Sequence, residues 1–217
     1  MRIRYLGHAA FYLEPEQGPS IITDPYRPGC YNGALALGAI TERAEVALVS
    51  HEHDDHCAAD VLPGSPTVLT GAGAVGGVEF RVVPAEHDER GGAERGANRI
   101  FCFTLDGLRV CHLGDLGHVP TPTQVAAIGE TDLLFVPVGG HFTIDAQGAA
   151  RTVAALSPKA VIPMHYKVPK VDFPIAPVDD FLRLQKNVER VGGSEMTIAR
   201  DSLPRETTVY VLEPAYG

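Results

Sequence analysis

The hexapeptide His51-Glu-His-Asp-Asp-His56 is the densest group of ionisable side chains in this sequence, and it directly follows the apolar segment Val46-Ala-Leu-Val-Ser50. An apolar segment of this length, bounded by polar residues, is typical of a buried β-strand. Imidazole and carboxylate groups are common ligands of divalent metals, so the hexapeptide indicates a metal site at the end of that strand. A solvated loop is the alternative interpretation, and four potential ligands within six residues disfavour it.

The spacing inside the hexapeptide predicts two groups of ligands. Because His51 and His53 are two residues apart, an extended chain directs both side chains to one side, where they can bind one ion. Asp55 and His56 come where a helix is predicted to begin, from Ala58 onwards, so their side chains diverge from the first pair and can bind a second ion. Both ions need further ligands, which we expect at other strand ends. Three other apolar segments lead to such residues, namely His87, Asp115 and His165.

The order of the predicted elements indicates an α+β fold. Short β-segments separated by glycine and proline come first, at residues 3–6, 10–13, 21–23, 46–49, 78–83 and 100–105. Asp106-Gly107 predicts a tight two-residue hairpin between 100–105 and 108–112. Helices at 123–128, 145–156 and 178–191 then alternate with strands at 133–136, 160–162 and 207–212. This order favours two sheets packed on each other with helices on the outside.

The composition is typical of a globular protein. Apolar residues make up 45% of the 217 residues and charged residues 21%, which excludes the disordered and collagen-like classes. No linker composition separates two halves, so we expect a single domain over residues 1–217. No apolar run is long enough for a signal-peptide core or a membrane span, and we therefore expect a cytoplasmic protein without a membrane partner. The four cysteines lack CxxC spacing, which favours reduced thiols over disulfides.

The charge balance argues against nucleic acid as a partner. The formal net charge is -9, and lysine and arginine do not cluster beyond a mild group at 167–170. A long polyanion needs a basic surface, so binding of nucleic acid is disfavoured. The sequence leaves the oligomeric state open, and a homo-oligomer is compatible with it.

Seven short motifs occur in order from one end of the chain to the other. They are Leu6-Gly-His-Ala9, Thr23-Asp-Pro25, the hexapeptide His51 to His56, Pro84-Ala-Glu-His87, His112-Leu-Gly-Asp-Leu-Gly-His118, Pro137-Val-Gly-Gly140 and Ile162-Pro-Met-His-Tyr166. In this order they resemble the metallo-β-lactamase superfamily, in particular its small bacterial and archaeal branch that is similar to ascorbate-6-phosphate lactonases. The resemblance implies an αββα sandwich of the metallo-β-lactamase type, with two mixed β-sheets face to face and helices on the outer faces.

The resemblance also implies a binuclear metal site. In that arrangement His51, His53 and His87 bind the first ion, Asp55, His56 and His165 bind the second, and Asp115 bridges the two. Asp24 would orient a ligand histidine through its other ring nitrogen, although an ordinary Asp-Pro turn is the alternative. Zinc is the expected metal, and manganese, iron and nickel are the alternatives because the same ligands suit all four.

Other polar residues near these motifs are weaker candidates. The sequence assigns no role to His8 and His118. His141, on a loop after the strand at 133–136, is a weak candidate for a substrate contact, and a solvated loop position is the alternative. His112 lies three residues before Asp115 in a strand and therefore faces the opposite side, so we predict that it is not a metal ligand. Contacts to an anionic substrate are a further possibility for Arg95, Asn98 and Lys167, with an exposed loop position as the alternative interpretation.

The implied metal site predicts a hydrolase. Two divalent ions lower the pKa of bound water to about 7, so a bridging hydroxide can attack a carbonyl or phosphoryl centre at neutral pH. One ion polarises the electrophile, the other stabilises the leaving anion, and Asp55 passes a proton to the leaving group. Because Asp55, Asp115 and the hydroxide do not cancel the whole charge of both ions, we expect a small anionic ester, lactone or phosphodiester as the substrate.

Two other functions fit the same fold. A di-iron redox protein is disfavoured because such proteins resemble His-x-Glu-x-Asp-His, whereas position 53 is histidine here, and because no flavin domain is attached. A metal-binding sensor without catalysis is disfavoured because every expected ligand is present. The primary prediction is therefore a binuclear metal-dependent hydrolase.

Overall fold

Two β-sheets and three short helices make up the structure, a computed structural model that describes residues 1–217. The strands are β1 (Arg2–Gly7), β2 (Ala10–Glu14), β3 (Ile21–Thr23), β4 (Val46–Leu48), β5 (Thr67–Leu69), β6 (Gly73–Val75), β7 (Val78–Glu86), β8 (Ala97–Leu105), β9 (Leu108–His112), β10 (Leu133–Pro137), β11 (Ala160–Met164), β12 (Val188–Arg190), β13 (Glu195–Thr197) and β14 (Thr208–Val211). The helices are α1 (Pro122–Ile128), α2 (Ala146–Leu156) and α3 (Val178–Leu182).

Both sheets are mixed, and they pack face to face. The first sheet has the strand order β13-β1-β2-β3-β4-β5, and the second has the order β12-β14-β11-β10-β9-β8-β7-β6. Antiparallel pairing changes to parallel pairing at β3 in the first sheet and at β9 in the second. Phe11 on β2 meets Phe135 on β10 between the sheets, with ring centroids 4.4 Å apart. The predicted sandwich of two mixed sheets is confirmed.

The central strands of the second sheet are covered on both faces. Every residue of β10 and β11 is buried, as expected for parallel strands between two layers. On α2 the buried residues recur every three or four positions and so form one face, which contains Gly148, Ala149, Thr152, Val153 and Leu156. None of the helices combines the length and the hydropathy that a membrane-spanning helix needs.

Strand direction brings six strand ends to one end of the sandwich. In the first sheet β1, β3 and β4 run in the same direction, because β2 is antiparallel to β1 and β3 while β4 is parallel to β3. In the second sheet β7, β9 and β11 share a direction, because β8 is antiparallel to β7 and β9 while β10 is parallel to β9 and β11. The residues that follow these six strands therefore gather at two neighbouring sheet edges.

The predicted Asp106-Gly107 hairpin is confirmed. It joins β8 to β9, with Leu105 paired to Leu108 across the turn. Both turn residues are in the left-handed region, with φ of 49° for Asp106 and 73° for Gly107. This is the conformation that a two-residue turn needs to match the twist of its strands, and an Asp-Gly pair adopts it at low cost.

The predicted helix over 178–191 is wrong beyond its first residues. The helix α3 ends at Leu182, and β12 pairs parallel with β14 at the edge of the second sheet. Backbone pairing at the sheet edge outweighs the helical pattern, and Arg190 forms an ion pair of 2.6 Å with Asp179 on α3. All three residues of β12 are exposed, so no hydrophobic alternation indicates this strand. The short strands β5, β6 and β13 are also absent from the prediction, and none of their residues is buried.

Candidate metal centre

Six strand ends supply the polar residues of the site. In the first sheet His8, Asp24 and His51 follow β1, β3 and β4. In the second sheet His87, Asp115 and His165 follow β7, β9 and β11. Strands that are paired on both sides are rigid, so they place these side chains more accurately than a free loop would.

The hexapeptide forms a compact turn rather than the expected extended strand exit. The backbone N–H of His56 donates to the carbonyl of His53 at 2.8 Å. The helix expected from Ala58 onwards is only a short 3-10 turn, Ala59–Val61. The turn nevertheless places the rings of His51 and His53 side by side, with centroids 4.6 Å apart.

One carboxylate oxygen lies at the centre of the site. Asp115 Oδ2 is 3.1 Å from His165 Nε2, 3.2 Å from His56 Nε2 and 3.3 Å from His87 Nε2. The Nε2 atom of His51 is 3.9 Å away. Asp115 and these four histidines are all at most 3% exposed. The Asp115 carboxylate thus faces histidines from both predicted groups of ligands.

The other donor atoms form two groups. The donors of His51, His53 and His87 lie within 4.8 Å of one another, and so do those of His8, Asp55, His56 and His165. Two ligands of one tetrahedral ion with bonds of about 2.1 Å are about 3.4 Å apart, so each group has the dimensions of a site for one ion. The structure brings the seven predicted ligands together and adds His8, whose Nε2 is 3.0 Å from Asp55 Oδ2.

Polar atoms without partners at the centre fit bound cations. His51 Nε2, His56 Nε2 and Asp115 Oδ1 are buried and have no hydrogen-bond partner. A buried polar atom left unpaired costs about 1–3 kcal/mol, and a divalent ion would satisfy these lone pairs. Imidazole and carboxylate are ligands for zinc, manganese, iron and nickel. The residues present therefore fit metal ions.

Asp24 orients two of the predicted histidine ligands. Its Oδ2 accepts a hydrogen bond from His56 Nδ1 at 3.1 Å and another from the Ser50 hydroxyl at 2.7 Å. The Ser50 hydroxyl lies 2.9 Å from His51 Nδ1, which can donate to it. These bonds favour the tautomers in which Nδ1 of both histidines carries the proton and Nε2 is free to bind metal. Ser50 is absent from the sequence prediction.

The electrostatics of the centre favour metal binding. Burial and a neighbouring imidazole lower the pKa of His51 to about 3 and that of His8 to about 4, so both are neutral at physiological pH. Burial opposes ionisation of Asp115 and Asp55, but the surrounding imidazoles hold the pKa of both carboxyls below the usual value. Burial alone would lower the pKa of His56. The carboxylates of Asp115 and Asp55 have the larger combined effect and raise this pKa to well above its usual value. Protons and metal ions therefore compete for His56 at this centre.

Asn98 and Lys167 do not lie where a substrate contact was expected. Asn98 is 1% exposed, its Oδ1 accepts the N–H of Asp115 at 3.1 Å, and its Nδ2 donates to the Leu113 carbonyl at 2.8 Å. It therefore positions Asp115 rather than a substrate. A Cβ at Gly114 would be 2.4 Å from Asn98 Oδ1, so only glycine fits beside this contact. The Lys167 ammonium donates to the carbonyl of residue 173 and does not line the cavity at the centre.

A cavity of about 290 Å³ opens onto the candidate centre. Its lining consists of ligand-type residues, three aromatic residues and one arginine: His53, Asp55, His87, Asp115, His165, Tyr31, Phe142, Phe173 and Arg95. The expected position of Arg95 near the substrate is thus compatible with the structure. The aromatic residues are absent from the sequence prediction because apolar residues in loops have no pattern that separates a cavity wall from core packing.

The remaining histidines lie outside the centre. His112 is buried, with Nε2 3.1 Å from the Ala9 carbonyl, as suits a residue that is not a ligand. His118 Nε2 is 2.9 Å from Glu86 Oε2 on the neighbouring strand. His141 is exposed, has a left-handed backbone with φ of 61°, and lines a second cavity that shares Arg95 with the first.

Comparisons with known proteins agree with this geometry. A family model described as the β-lactamase superfamily domain matches residues 2–165. UPF0173 metal-dependent hydrolases from Pyrococcus abyssi and Thermococcus onnurineus are 31% and 30% identical over 193 residues, and each alignment covers 76% of this chain and 84% of the relative. A crystal structure of a proposed Zn-dependent hydrolase of the metallo-β-lactamase superfamily from Thermotoga maritima is 40% identical, covers 98% of both chains and superposes with a TM-score of 0.79.

The matches cover three quarters or more of the chain, and the residues matched by the family model include the hexapeptide. The finer likeness to ascorbate-6-phosphate lactonases stays a prediction, as does the role of each ligand. The family and its general activity are shown by the matches over this length. The chain belongs to the metallo-β-lactamase superfamily and, within it, to the UPF0173 metal-dependent hydrolases.

Proposed function

We propose that this chain is a binuclear hydrolase that cleaves a small anionic ester, lactone or phosphodiester. The observation that supports this most is the position of Asp115, whose Oδ2 lies within 3.3 Å of three imidazole nitrogens at the base of a cavity. In this proposal one ion binds His51, His53 and His87, the other binds Asp55, His56 and His165, and Asp115 lies between them. Zinc is the first choice of metal because tetrahedral sites of this composition suit it.

Bound divalent ions would supply Lewis acidity and would lower the pKa of water, which provides a nucleophile at neutral pH. The residues of the chain prepare the site for this chemistry. Asp24 and Ser50 orient His56 and His51 through their Nδ1 atoms, which keeps the Nε2 atoms directed at the centre. Asp55 lines the cavity, and its lowered pKa keeps the carboxylate ionised, as a metal ligand must be. In this proposal Asp55 also passes a proton from the attacking water to the leaving group.

The cavity and the charges support a small anionic substrate. A volume of about 290 Å³ is at the lower end of the range for small-molecule sites. The net charge of -9 disfavours a long polyanion. Arg95 is the one lysine or arginine that lines this cavity, and bound ions would add positive charge to it.

Metal analysis combined with a substrate panel tests the proposal. Purified protein loaded with zinc should contain close to two ions per chain and should hydrolyse at least one ester, lactone or phosphodiester. The variant His53→Ala should lose one ion and most of the turnover. His118→Ala is the matched control, because His118 interacts with Glu86 away from the centre. A metal content near zero after reconstitution, or no turnover across the panel, would contradict the proposal.

A further inference from the structure

A buried carboxylate organises the loop that follows the predicted ligand His87. Asp88 is 3% exposed, and each of its oxygens accepts two backbone N–H groups. Oδ1 accepts from Arg90 at 2.7 Å and Gly92 at 2.9 Å, and Oδ2 accepts from Glu94 at 2.9 Å and Arg95 at 2.8 Å. One side chain therefore fixes most of the backbone of residues 88–96, which we call the Asp88 loop.

The Asp88 loop is also closed at its base and packed from one side. The N–H of His87 donates to the Gly96 carbonyl at 3.0 Å, and the N–H of Gly96 donates to the Gly92 carbonyl at 3.0 Å. A Cβ at Gly117 would lie 2.2 Å from the backbone nitrogen of Asp88, so the loop packs directly on the chain that follows Asp115. These contacts give the loop one conformation beside the candidate centre.

Arg95 is the residue that the Asp88 loop presents to the cavity. Its guanidinium carbon lies 5.7 Å from the centroid of the Phe142 ring, at a distance where a cation and an aromatic ring attract each other. The side chain is 31% exposed, and its acidic neighbour is Glu94, at the long distance of 3.6 Å. A guanidinium without a close carboxylate partner can bind a carboxylate or phosphate group through two parallel hydrogen bonds.

Aromatic rings continue the cavity wall from Arg95. Phe142 meets Phe173 edge to face, with centroids 5.9 Å apart, and Phe173 meets Tyr31 in the same way at 5.7 Å. The Tyr31 hydroxyl donates to Asp55 Oδ1 at 3.3 Å, so this row of rings runs from the arginine to the candidate metal centre. An apolar wall of this kind binds the apolar body of a ligand.

We propose that the Asp88 loop is a substrate-recognition element, in which Asp88 positions Arg95 to bind a carboxylate or phosphate group remote from the bond that is cleaved. The aromatic row of Phe142, Phe173 and Tyr31 binds the apolar body between that anionic group and the metal centre. This inference rests on the proposed hydrolase function and specifies its substrate as a small ester or lactone with an apolar body and one anionic group. Asp88 acts through Arg95 and is therefore a positioning residue.

The experiment uses two aryl esters of the same shape. 4-Carboxyphenyl acetate has an anionic group, and 4-carbamoylphenyl acetate has a neutral amide in its place. In zinc-loaded protein Arg95→Gln should raise KM for the carboxylate ester by roughly 10-fold or more, because a charge-assisted hydrogen bond is lost. For the amide ester, which offers Arg95 no anionic group, the rise in KM should be several-fold smaller, so the ratio of the two KM values should change. Arg183→Gln is the control, since Arg183 is an exposed arginine directly after the helix α3 and lines neither cavity.

Asp88→Asn tests the positioning role. It should also raise KM for the carboxylate ester. The double variant with Arg95→Gln should have a KM no higher than the more impaired single variant, because both substitutions remove the same interaction. Hydrogen exchange provides a readout that does not depend on activity: the amides of Gly92 and Glu94 should exchange faster in Asp88→Asn but not in Arg95→Gln. If Asp88→Asn does not fold, Arg95→Gln and the charge-retaining Arg95→Lys still test recognition, and Arg95→Lys should recover part of the lost KM.

The outcomes separate this inference from the proposed function. Zinc-dependent turnover of both esters with no difference between them in Arg95→Gln overturns the recognition role and leaves the hydrolase intact. Unchanged exchange in Asp88→Asn overturns the positioning role. Absence of zinc-dependent turnover for both esters and for the wider panel of esters, lactones and phosphodiesters overturns the proposed function and this inference with it.

Discussion

The two sheets fix their metal-binding candidates by different means. Two histidines that follow β4 in the first sheet, His51 and His56, are linked to one carboxylate, because Asp24 bonds His56 directly and reaches His51 through the Ser50 hydroxyl. The histidines that follow β7 and β11 in the second sheet have buried Nδ1 atoms without a hydrogen-bond partner. They are placed by backbone bonds and ring packing instead, as in the contact of 4.1 Å between the ring centroids of His8 and His165.

Asp24 couples the two groups of ligands. His51 belongs to the first group and His56 to the second, yet both depend on Asp24 for their orientation. A substitution of Asp24 should therefore lower the affinity for both ions, whereas a substitution of a single histidine of the second sheet should lower the affinity for one. Asp115 faces both groups as well, but as a ligand-type residue at the centre.

The largest effect is expected for Asp115→Asn, which removes the negative charge of the carboxylate at the centre of both groups. We expect zinc-dependent turnover to fall by more than about 100-fold, because a change outside the ligand shell already costs about 10–100-fold in metal affinity or activity. The amide has nearly the same shape, so circular dichroism should show a folded protein. The matched control is Asp54→Asn in the same hexapeptide, since Asp54 is exposed and pairs with Arg27. Turnover of Asp115→Asn close to that of the control would contradict a central role for the carboxylate.

Asp24→Asn comes next and tests the coupling itself. An amide cannot accept from His56 and Ser50 as the carboxylate does, so both histidines lose their orientation. We expect the affinity for both ions to fall by about 10–100-fold, as is typical when the partner of a ligand histidine is lost. Isothermal titration calorimetry with zinc measures the two affinities separately. Weakening of one ion alone would show that Asp24 does not join the two groups.

Ser50→Ala should separate the two groups that Asp24 joins. The methyl group removes the link from His51 to Asp24 but leaves the direct bond between Asp24 and His56. We expect the affinity for the first ion to fall by up to about 10-fold, the lower end of the range for such partners, and the affinity for the second ion to stay near that of the wild type. The same zinc titration checks this, and equal loss at both sites would contradict the proposed division of ligands.

The smallest effect concerns the pH dependence of the metal-free protein. Burial lowers the pKa of His51 to about 3 and of His8 to about 4, from a usual value of 6.5. Between pH 6.5 and the lowered pKa of each histidine, the unfolded chain binds a proton that the folded chain does not. The contribution of these two neutral histidines to the free energy of unfolding is therefore fully present above pH 6.5 and is lost as the pH falls. His56 has a raised pKa and opposes the trend, but it is a single group.

We therefore expect the Tm of the metal-free protein to fall by roughly 5 °C or more between pH 7 and pH 5. Differential scanning calorimetry on protein treated with a chelator measures it. The carboxyls of Asp55 and Asp115 do not contribute in this window, because their usual pKa lies below it and burial among imidazoles lowers it further. A Tm that is constant or rises on acidification would contradict the burial of neutral histidines in the first sheet.

The site residues that can be predicted from the sequence are those with a ligand-type side chain directly after an apolar segment. The hexapeptide, His87, Asp115 and His165 each combine a ligand-type side chain with the end of an apolar segment, and the structure gathers them at one place. Ser50 has no such pattern, because a serine after a strand is ordinary and its role depends on Asp24, which is distant in the chain. The same holds for Asp88, whose partners are backbone groups that any sequence would offer.

Fold prediction succeeds and fails on the same physical ground. Buried strands such as β10 and β11 are apolar throughout and are predicted, whereas the exposed edge strand β12 lacks any alternation and was predicted as helix. Its conformation follows from pairing with β14, a contact between distant segments. Local patterns therefore identify the interior of the sandwich, and tertiary pairing decides its edges.

Anomalous diffraction from crystals grown with zinc shows whether the centre binds two ions. Data collected on both sides of the zinc absorption edge should show two peaks on either side of the Asp115 carboxylate. One peak should lie among His51, His53 and His87, and the other among Asp55, His56 and His165. A single peak, peaks elsewhere on the surface, or none at full zinc loading would contradict a binuclear centre built from these seven residues.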